Sequence, residues 1–259
     1  ERPDGEYRMK IKRKRPGTLG ICALIQNKYN VDAVPHVICQ GFTKEETEDF
    51  LIELHYLDID NVLAIRGDYS GFRKPIKYGR SVNNHAIELV NQINDMNKGK
   101  YLEDSLLDAE PTSFGIGISG YPEKHFEAPN LQTDIGYTKS KIEKGAEYIV
   151  TQMFYDNKRF FDYVEQCKNG GIDVPIIPGL KIITAKSQLK TLPSNFHVDI
   201  PSELSEEISA AKTEHVTEIG VKWAFKQAEE LLNAKVPAIH FYVMQNTIPI
   251  KSLMKKLGK

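Results

Sequence analysis

The sequence is poor in the features that point to the simplest functions. Its three cysteines, Cys22, Cys39 and Cys167, are an odd number set far apart with no C-x-x-C pair. They exclude a disulfide framework and a cysteine-rich zinc site, and they read as reduced thiols of a cytoplasmic protein. No apolar run approaches the roughly 18 residues that would cross a bilayer, and Glu1-Arg2-Pro3-Asp4-Gly5 lacks the apolar core of a signal peptide. Neither sign of charge prevails: 34 basic and 35 acidic side chains leave a formal charge of -1. That balance gives no electrostatic case for nucleic acid as the main partner. His, Asp and Glu do not cluster at metal-ligand spacing, so no metal is expected. Also missing are a G-x-G-x-x-G after a strand, a G-x-x-x-x-G-K-[ST], a G-x-S-x-G and an H-E-x-x-H. Dinucleotide and triphosphate loops of those types, the hydrolase elbow and the zinc-protease helix are therefore excluded.

What is present is ordinary globular material. Hydrophobic residues make up 41% of the chain, with 18 glycines and 13 prolines, which rules out intrinsic disorder. A length of 259 residues is that of a (β/α)8 barrel, or of one large or two small α/β domains, and it buries a core without staples. The run Lys10-Ile11-Lys12-Arg13-Lys14-Arg15, ended by Pro16-Gly17, reads as a solvated loop more readily than as a nucleic-acid patch.

Beyond residue 30 the chain alternates between short apolar runs and helical patterns. Strands are expected near 33–39, 61–65, 114–119, 148–152, 174–180 and 238–243. Helices are expected near 18–29, 43–56, 81–97, 131–144, 157–169, across most of 185–233, and near 249–257. Thr43-Lys44-Glu45-Glu46 supplies an N-cap with a carboxylate three residues on. This alternation specifies parallel strands with helical crossovers. No linker or repeat divides it, so a single domain over 1–259 is expected. Six strands suit a doubly wound sheet and fall two short of a closed (β/α)8 barrel.

Either architecture places its ligand at the carboxyl ends of the strands. There the sequence puts His36, Arg66 and Asp68, Tyr121 and His125, Gln152, and Tyr242 with Gln245. Any one of these is readily a core or turn residue; the ring of them points to a polar, aromatic-bearing mouth suited to an aromatic cofactor or heterocyclic substrate. Gly115 and Gly117 lie within a strand, which implies close approach of a neighbour or a ligand.

Five motifs occur in order: Arg66-Gly67-Asp68, Tyr121-Pro122-Glu123-x-His125-x-Glu127-Ala128, Thr151-Gln152-x-Phe154-Tyr155-Asp156, Ile177-Pro178-Gly179 and His240-Phe241-Tyr242. Together they resemble the catalytic domain of the methylenetetrahydrofolate reductases, in the short microbial form, over about residues 31 to 257. The resemblance implies a (β/α)8 TIM barrel that holds FAD at the strand carboxyl ends. It implies hydride transfer from NADH or NADPH through the flavin to 5,10-methylenetetrahydrofolate, giving 5-methyltetrahydrofolate by a ping-pong scheme, in one-carbon metabolism and methionine synthesis. The partners would be these small molecules and further copies of the chain in a homo-oligomer, with no membrane and no nucleic acid.

By the same resemblance, His36, Arg66, Gly67, Asp68, Tyr78, Gly79, Tyr121, His125, Asp134 and Lys141 line the FAD site, with Lys141 meeting the pyrophosphate. Asp68 and Gln152 are the implied catalytic positions, Asp68 lying between flavin and folate. Gln152, Gln188 and Tyr242 are the implied substrate contacts, and Gln152 is also implied at the nicotinamide. Two departures stand out. The family pattern opens with two strands, the first carrying Phe-Glu-Phe-Phe-Pro-Pro with its general-acid Glu, and neither strand is in this sequence. Where the family often has a basic residue for the folate glutamate tail, this chain has Asn246, which leaves Lys251 as the nearby cation. Competing expectations are a truncated flavin-binding homologue without folate turnover, and a flavin-free lyase or transferase on the same barrel.

Overall fold

The computed structural model describes residues 16–67 and 76–258; the basic run Lys10 to Arg15 and Asp68 lie outside the described residues. Six strands, β1 (His36–Ile38), β2 (Asn61–Ile65), β3 (Gly115–Gly120), β4 (Tyr148–Met153), β5 (Ile176–Leu180) and β6 (His240–Phe241), form one parallel sheet. Their spatial order is their chain order. A doubly wound sheet reverses direction at a switch point, whereas here every crossover advances by one strand. That is the singly wound order of a TIM-type (β/α) barrel, with six strands among the described residues. The sheet curls far enough that His36, on one edge strand, helps to lower the pKa of His240 on the other, after burial itself.

Nine α-helices are described: α1 (Thr18–Tyr29), α2 (Lys44–Tyr56), α3 (Ala86–Met96), α4 (Leu131–Glu143), α5 (Asn157–Asn169), α6 (Gln188–Phe196), α7 (Ser202–Ala210), α8 (Val216–Asn233) and α9 (Ile248–Lys256). None is long and apolar enough to cross a membrane. The capping box forms as expected: Glu46 N donates to Thr43 Oγ1 (3.1 Å) and Thr43 N to Glu46 Oε2 (2.9 Å), satisfying two donors the helix cannot.

The sheet faces differ. Val37, Val62, Ala64, Ile116, Ile118 and Ile149 are buried in the main core with Leu51, Leu54, Leu89, Ile93, Phe160 and Tyr163 from the helices. The opposite face carries half-buried residues such as Ile38, Ile65, Ser119, Gln152 and Ile177. Period-two alternation thus separates a helix-covered outer face from an inner one. Gly117 answers the question raised by its place in a strand: a Cβ there would run into the Tyr148 ring, whose hydroxyl crosses the sheet to donate to Val62 O (3.0 Å). The close neighbour is protein.

Several boundaries shift from the sequence expectation. Helix α3 begins at Ala86 rather than near Ser81, because residues 81–84 make tertiary bonds: Ser81 O accepts from Lys44 N (2.9 Å) and Asn83 Nδ2 donates to Gln92 Oε1 (2.6 Å). The helical pattern over 185–233 is three helices, broken first between α6 and α7, where His197 turns left-handed (φ 55°) and Pro201 precedes α7, and again after α7, where Ala211 is extended (φ -68°, ψ 158°). Strand β6 has two residues where six were expected. In β5, Pro178 has no N–H to give, and the β4–β5 register shifts between Val150 and Met153. Gly179 N donates instead to the Thr151 side chain (2.9 Å).

Candidate functional site

Two hollows open at the carboxyl ends of the strands. The larger, about 530 Å³, lies over β3 between the end of β2 and helix α4, and is lined by Arg66, His85, Ser119, Tyr121, His125, Glu127, Asp134, Tyr137, Ser140 and Lys141 among others. Helix α4 supplies its charged wall. Asn130 caps the helix by accepting from Thr133 N (2.8 Å). That start places Asp134, Tyr137 and Lys141 at i, i+3 and i+7, one face of one helix.

Buried Asp134 accepts from His125 N (2.9 Å) through Oδ2, so a carboxylate on α4 pins the loop that follows β3. Its pKa is raised by burial, against the pull of the His125 hydrogen bond and the Lys141 charge. Lys141 is the reverse case: burial lowers its pKa, and Asp134 raises it in part. Its ammonium has no hydrogen bond or ion pair among the described residues. Arg66 pairs with Glu127 (Nη1 to Oε2, 2.8 Å), half-exposed at the rim. Tyr121 meets His125 edge to face at 4.7 Å, and His125, Phe126 and His197 continue the ring contacts toward the loop after α6. Beside them Glu123 Oε2 accepts from Asp199 N (2.9 Å). Its Oε1 is buried without a partner among the described residues, and burial pushes its pKa up to about 7.

The smaller hollow, about 110 Å³, lies between the ends of β5 and β6 and the start of α9. Its wall includes Lys181, Thr184, Gln188, Tyr242, Met244 and Asn246. Most acceptors here are already engaged. Gln188 Oε1 receives Thr184 N (2.6 Å) and Ala185 N (3.0 Å). Tyr242 donates its hydroxyl to Thr151 O (2.8 Å) while its ring closes over Gly179, where an added Cβ would meet it at 2.7 Å. Gln152 accepts from Met153 N (3.0 Å) at the edge of β4.

Of the residues singled out in the sequence, Arg66, Tyr121, His125, Asp134 and Lys141 come together in the large cavity, and Gln188 and Tyr242 in the small one. His36 does not end its strand but opens it, in register with Leu63, Gly117 and Tyr148 along the lower part of the sheet. Only the short β1, rather than a run over 33–39, makes this plain. Tyr78 stands fully in solvent and neither it nor Gly79 lines the cavity, although Gly67 and Gly79 both adopt the positive φ (91° and 84°) that favours glycine. Residues missed by sequence reading are His85, Ser119, Glu127, Tyr137 and Ser140 in the large cavity and Lys181 in the small one. The helical spacing of Asp134, Tyr137 and Lys141 was the available signal for one of them. Within Thr151-Gln152-x-Phe154-Tyr155-Asp156, the aromatic residues are buried core and Asp156 caps α5 through Lys158 N (2.9 Å).

A singly wound parallel sheet with a polar cavity at its strand carboxyl ends, bearing Arg66 and Lys141 beside Glu127 and Asp134, defines a barrel-type domain. A model of the methylenetetrahydrofolate reductase family matches residues 9–258, and the chain belongs to that family. It is 30% identical over 248 residues to methylenetetrahydrofolate reductase 1 of Schizosaccharomyces pombe, covering 93% of this chain and 38% of that protein. Against methylenetetrahydrofolate reductase (NADH) 1 of Arabidopsis thaliana it is 29% identical, covering 93% and 40%. Against 5,10-methylenetetrahydrofolate reductase of Salmonella typhimurium it is 26% identical, covering 95% and 76%. The chain therefore spans about two fifths of the length of the two eukaryotic relatives and three quarters of the bacterial one.

Proposed function

We propose that this domain binds FAD in the larger cavity and reduces 5,10-methylenetetrahydrofolate to 5-methyltetrahydrofolate, with NADH or NADPH as hydride donor in a ping-pong scheme. Family membership supports the reaction class, and Lys141 is the observation that carries the cofactor. An enclosed ammonium with no described partner, in the wall of a 530 Å³ cavity, fits a ligand that brings its own negative charge. Pyrophosphate does so, and Arg66 at the rim would add a second cation by exchanging its bond to Glu127. Tyr121 and Tyr137 supply flat apolar surface for the rest of the molecule.

Bound flavin supplies the two-electron chemistry. The chain's own part is placement. Asp134 holds the loop after β3 through His125 N, and Lys141 and Arg66 anchor the cofactor. Gly67 is proposed to let the chain pass close beside it. His36, Tyr78 and Gly79 stand away from the cavity, so the proposed cofactor set narrows to Arg66, Gly67, Tyr121, His125, Asp134 and Lys141. Asp68, outside the described residues, is proposed to lie between cofactor and folate. Gln152, Gln188 and Tyr242 are proposed on the substrate side, and a cytoplasmic homo-oligomer as the working form.

The test is spectroscopic. Purified protein reconstituted with FAD should show a bound-flavin spectrum that bleaches anaerobically with NADH or NADPH. The colour should return on adding 5,10-methylenetetrahydrofolate, with 5-methyltetrahydrofolate as product. Protein that stays colourless in excess FAD would sink the cofactor assignment; bleaching without folate-driven recovery would sink the reaction.

A further inference from the structure

We infer that Glu123 is a positioning residue of the larger cavity: with its proton on, the carboxyl fastens the loop after β3 to the segment after α6 and so holds Tyr121 and His125 against the ligand, and with its proton off it releases that loop. The inference rests on the flavin reading for the identity of the ligand whose binding reports it.

The loop runs from Tyr121 to Asn130, between β3 and α4, and contains neither strand nor helix. Tyr121, His125, Glu127 and Ala128 from it line the cavity. Lys124 sits left-handed at φ 67°, a conformation that a residue other than glycine keeps only where its surroundings fix it. Its Nζ donates back to Ala128 O (2.9 Å). On the cavity side the loop is held by the bond from His125 N to Asp134. On the far side two contacts reach one short segment. The Phe126 ring stacks on His197 (centroids 4.9 Å apart, 25° between planes), and Glu123 Oε2 accepts from Asp199 N (2.9 Å).

A side-chain amide would accept that one N–H without the cost of burying a charge, so an acid here calls for a second role. Glu123 Oε1 is buried with no partner among the described residues, which is unfavourable for a carboxylate oxygen. The charges that face it are unbalanced. Asp199 from the segment after α6 and Asp156 at the cap of α5 oppose ionisation, and Arg159 on α5, itself paired with Asp199 (3.6 Å), favours it. Lys124, next in sequence, has its ammonium on Ala128 O. Burial leads these effects and pushes the pKa up to about 7, so near neutral pH the group is divided between its two forms. The neutral form fits the contact as built, because Oε2 still accepts from Asp199 N. The ionised form calls for water at Oε1, and water reaches that buried oxygen when the loop parts from residues 197–199.

The test is FAD affinity of the full-length protein, by fluorescence titration, between about pH 6 and about pH 8.5. A ligand that needs the loop in place favours the protonated form. Wild-type affinity should therefore fall as pH rises through 7, by about threefold to tenfold, the scale of one linked proton over about one pH unit. Glu123→Gln keeps the acceptor and cannot ionise, so it should hold the low-pH affinity throughout. Glu123→Leu lacks the acceptor and should bind weakly at every pH. His125, Asp134 and Lys141 lie in the same cavity in all three proteins, so the difference between wild type and Glu123→Gln isolates Glu123. Hydrogen exchange over residues 121–130 reads the same release without flavin: wild type should lose protection as pH rises through 7, and Glu123→Gln should keep it. If Glu123→Leu fails to fold, the comparison with Glu123→Gln carries the test. A wild-type affinity independent of pH, or a fall just as steep in Glu123→Gln, overturns the inference. Wild type that binds no FAD at any pH overturns the flavin reading and leaves hydrogen exchange to decide the loop. Protection lost in wild type alone then upholds the release, and equal protection in both proteins overturns it.

Discussion

The hollow over β3 and the hollow between β5 and β6 rest on the same sheet, yet they handle their polar groups in opposite ways. In the first, charges of both signs face the space: Arg66 pairs with Glu127 at the rim, Asp134 accepts from the His125 backbone, and Lys141 has no hydrogen bond or ion pair among the described residues. In the second, the protein's own backbone has taken the side-chain acceptors, and donors remain. Their walls differ in origin. Over β3 the cavity wall comes from the loop after the strand and from one face of α4. The Pro178–Gly179 step in β5 lets Tyr242 fold down onto β4, where its hydroxyl bonds Thr151 O and its ring closes one side of the narrower hollow. The wide cavity presents charges of both signs, and the narrow one presents donors with no acid among its described lining residues.

The largest expected effect would break the first side of that comparison. Lys141→Met should weaken FAD binding by about ten- to a hundredfold, the loss of a charge-assisted contact to phosphate. It should leave the affinity of the FAD-loaded protein for tetrahydrofolate unchanged. Fluorescence titration with FAD checks the first and a tetrahydrofolate titration the second; a shift in both would mean the two hollows are one site.

An intermediate effect concerns Glu123, which ties the loop after β3 to Asp199 beyond α6. Its pKa stands at about 7, above that of the unfolded chain, so the folded state binds the extra proton. Its favourable contribution is complete below about pH 4.5 and is lost as pH rises through 7. Glu123→Gln should therefore stabilise the protein at pH 8 by roughly 1 kcal/mol, after allowing for solvent screening of a half-exposed group, and by little at pH 5. Melting curves at the two pH values decide it: equal gains at both would show that the carboxyl does not titrate in this range.

The smallest effect sharpens the second side. Tyr242→Phe removes the hydroxyl that satisfies Thr151 O and should cost about 1 kcal/mol, or ~2–4 °C in melting temperature. Tetrahydrofolate affinity should change by less than twofold, because the hydroxyl proton already belongs to the sheet. A tenfold loss of affinity without a change in melting would show that the Tyr242 hydroxyl, and not its ring alone, meets the substrate.

The helical crossovers, the capping box at Thr43 and the absence of nucleotide loops were all legible in the sequence, because periodicity, caps and Gly-rich loops act over a few residues. Family membership was legible from five motifs in order. The motifs did not reveal which of their members face a ligand: Phe154 and Tyr155 went to the core and Asp156 to a helix cap, while Glu127 came to sit on Arg66. Strand count alone suited a doubly wound sheet and fell two short of a closed barrel. Pairing of each strand with its successor decided between them, and pairing is a long-range property. Only the tertiary structure set His36 low on β1 and Tyr78 in solvent, and only it gathered Lys181, Gln188 and Asn246 around one space. Asn246 lies far along the chain from Lys181 and Gln188, and their meeting depends on register and crossover geometry that no local pattern encodes. The sequence by itself determined the elements and their kind; the curvature of the sheet decided which side chains share a cavity.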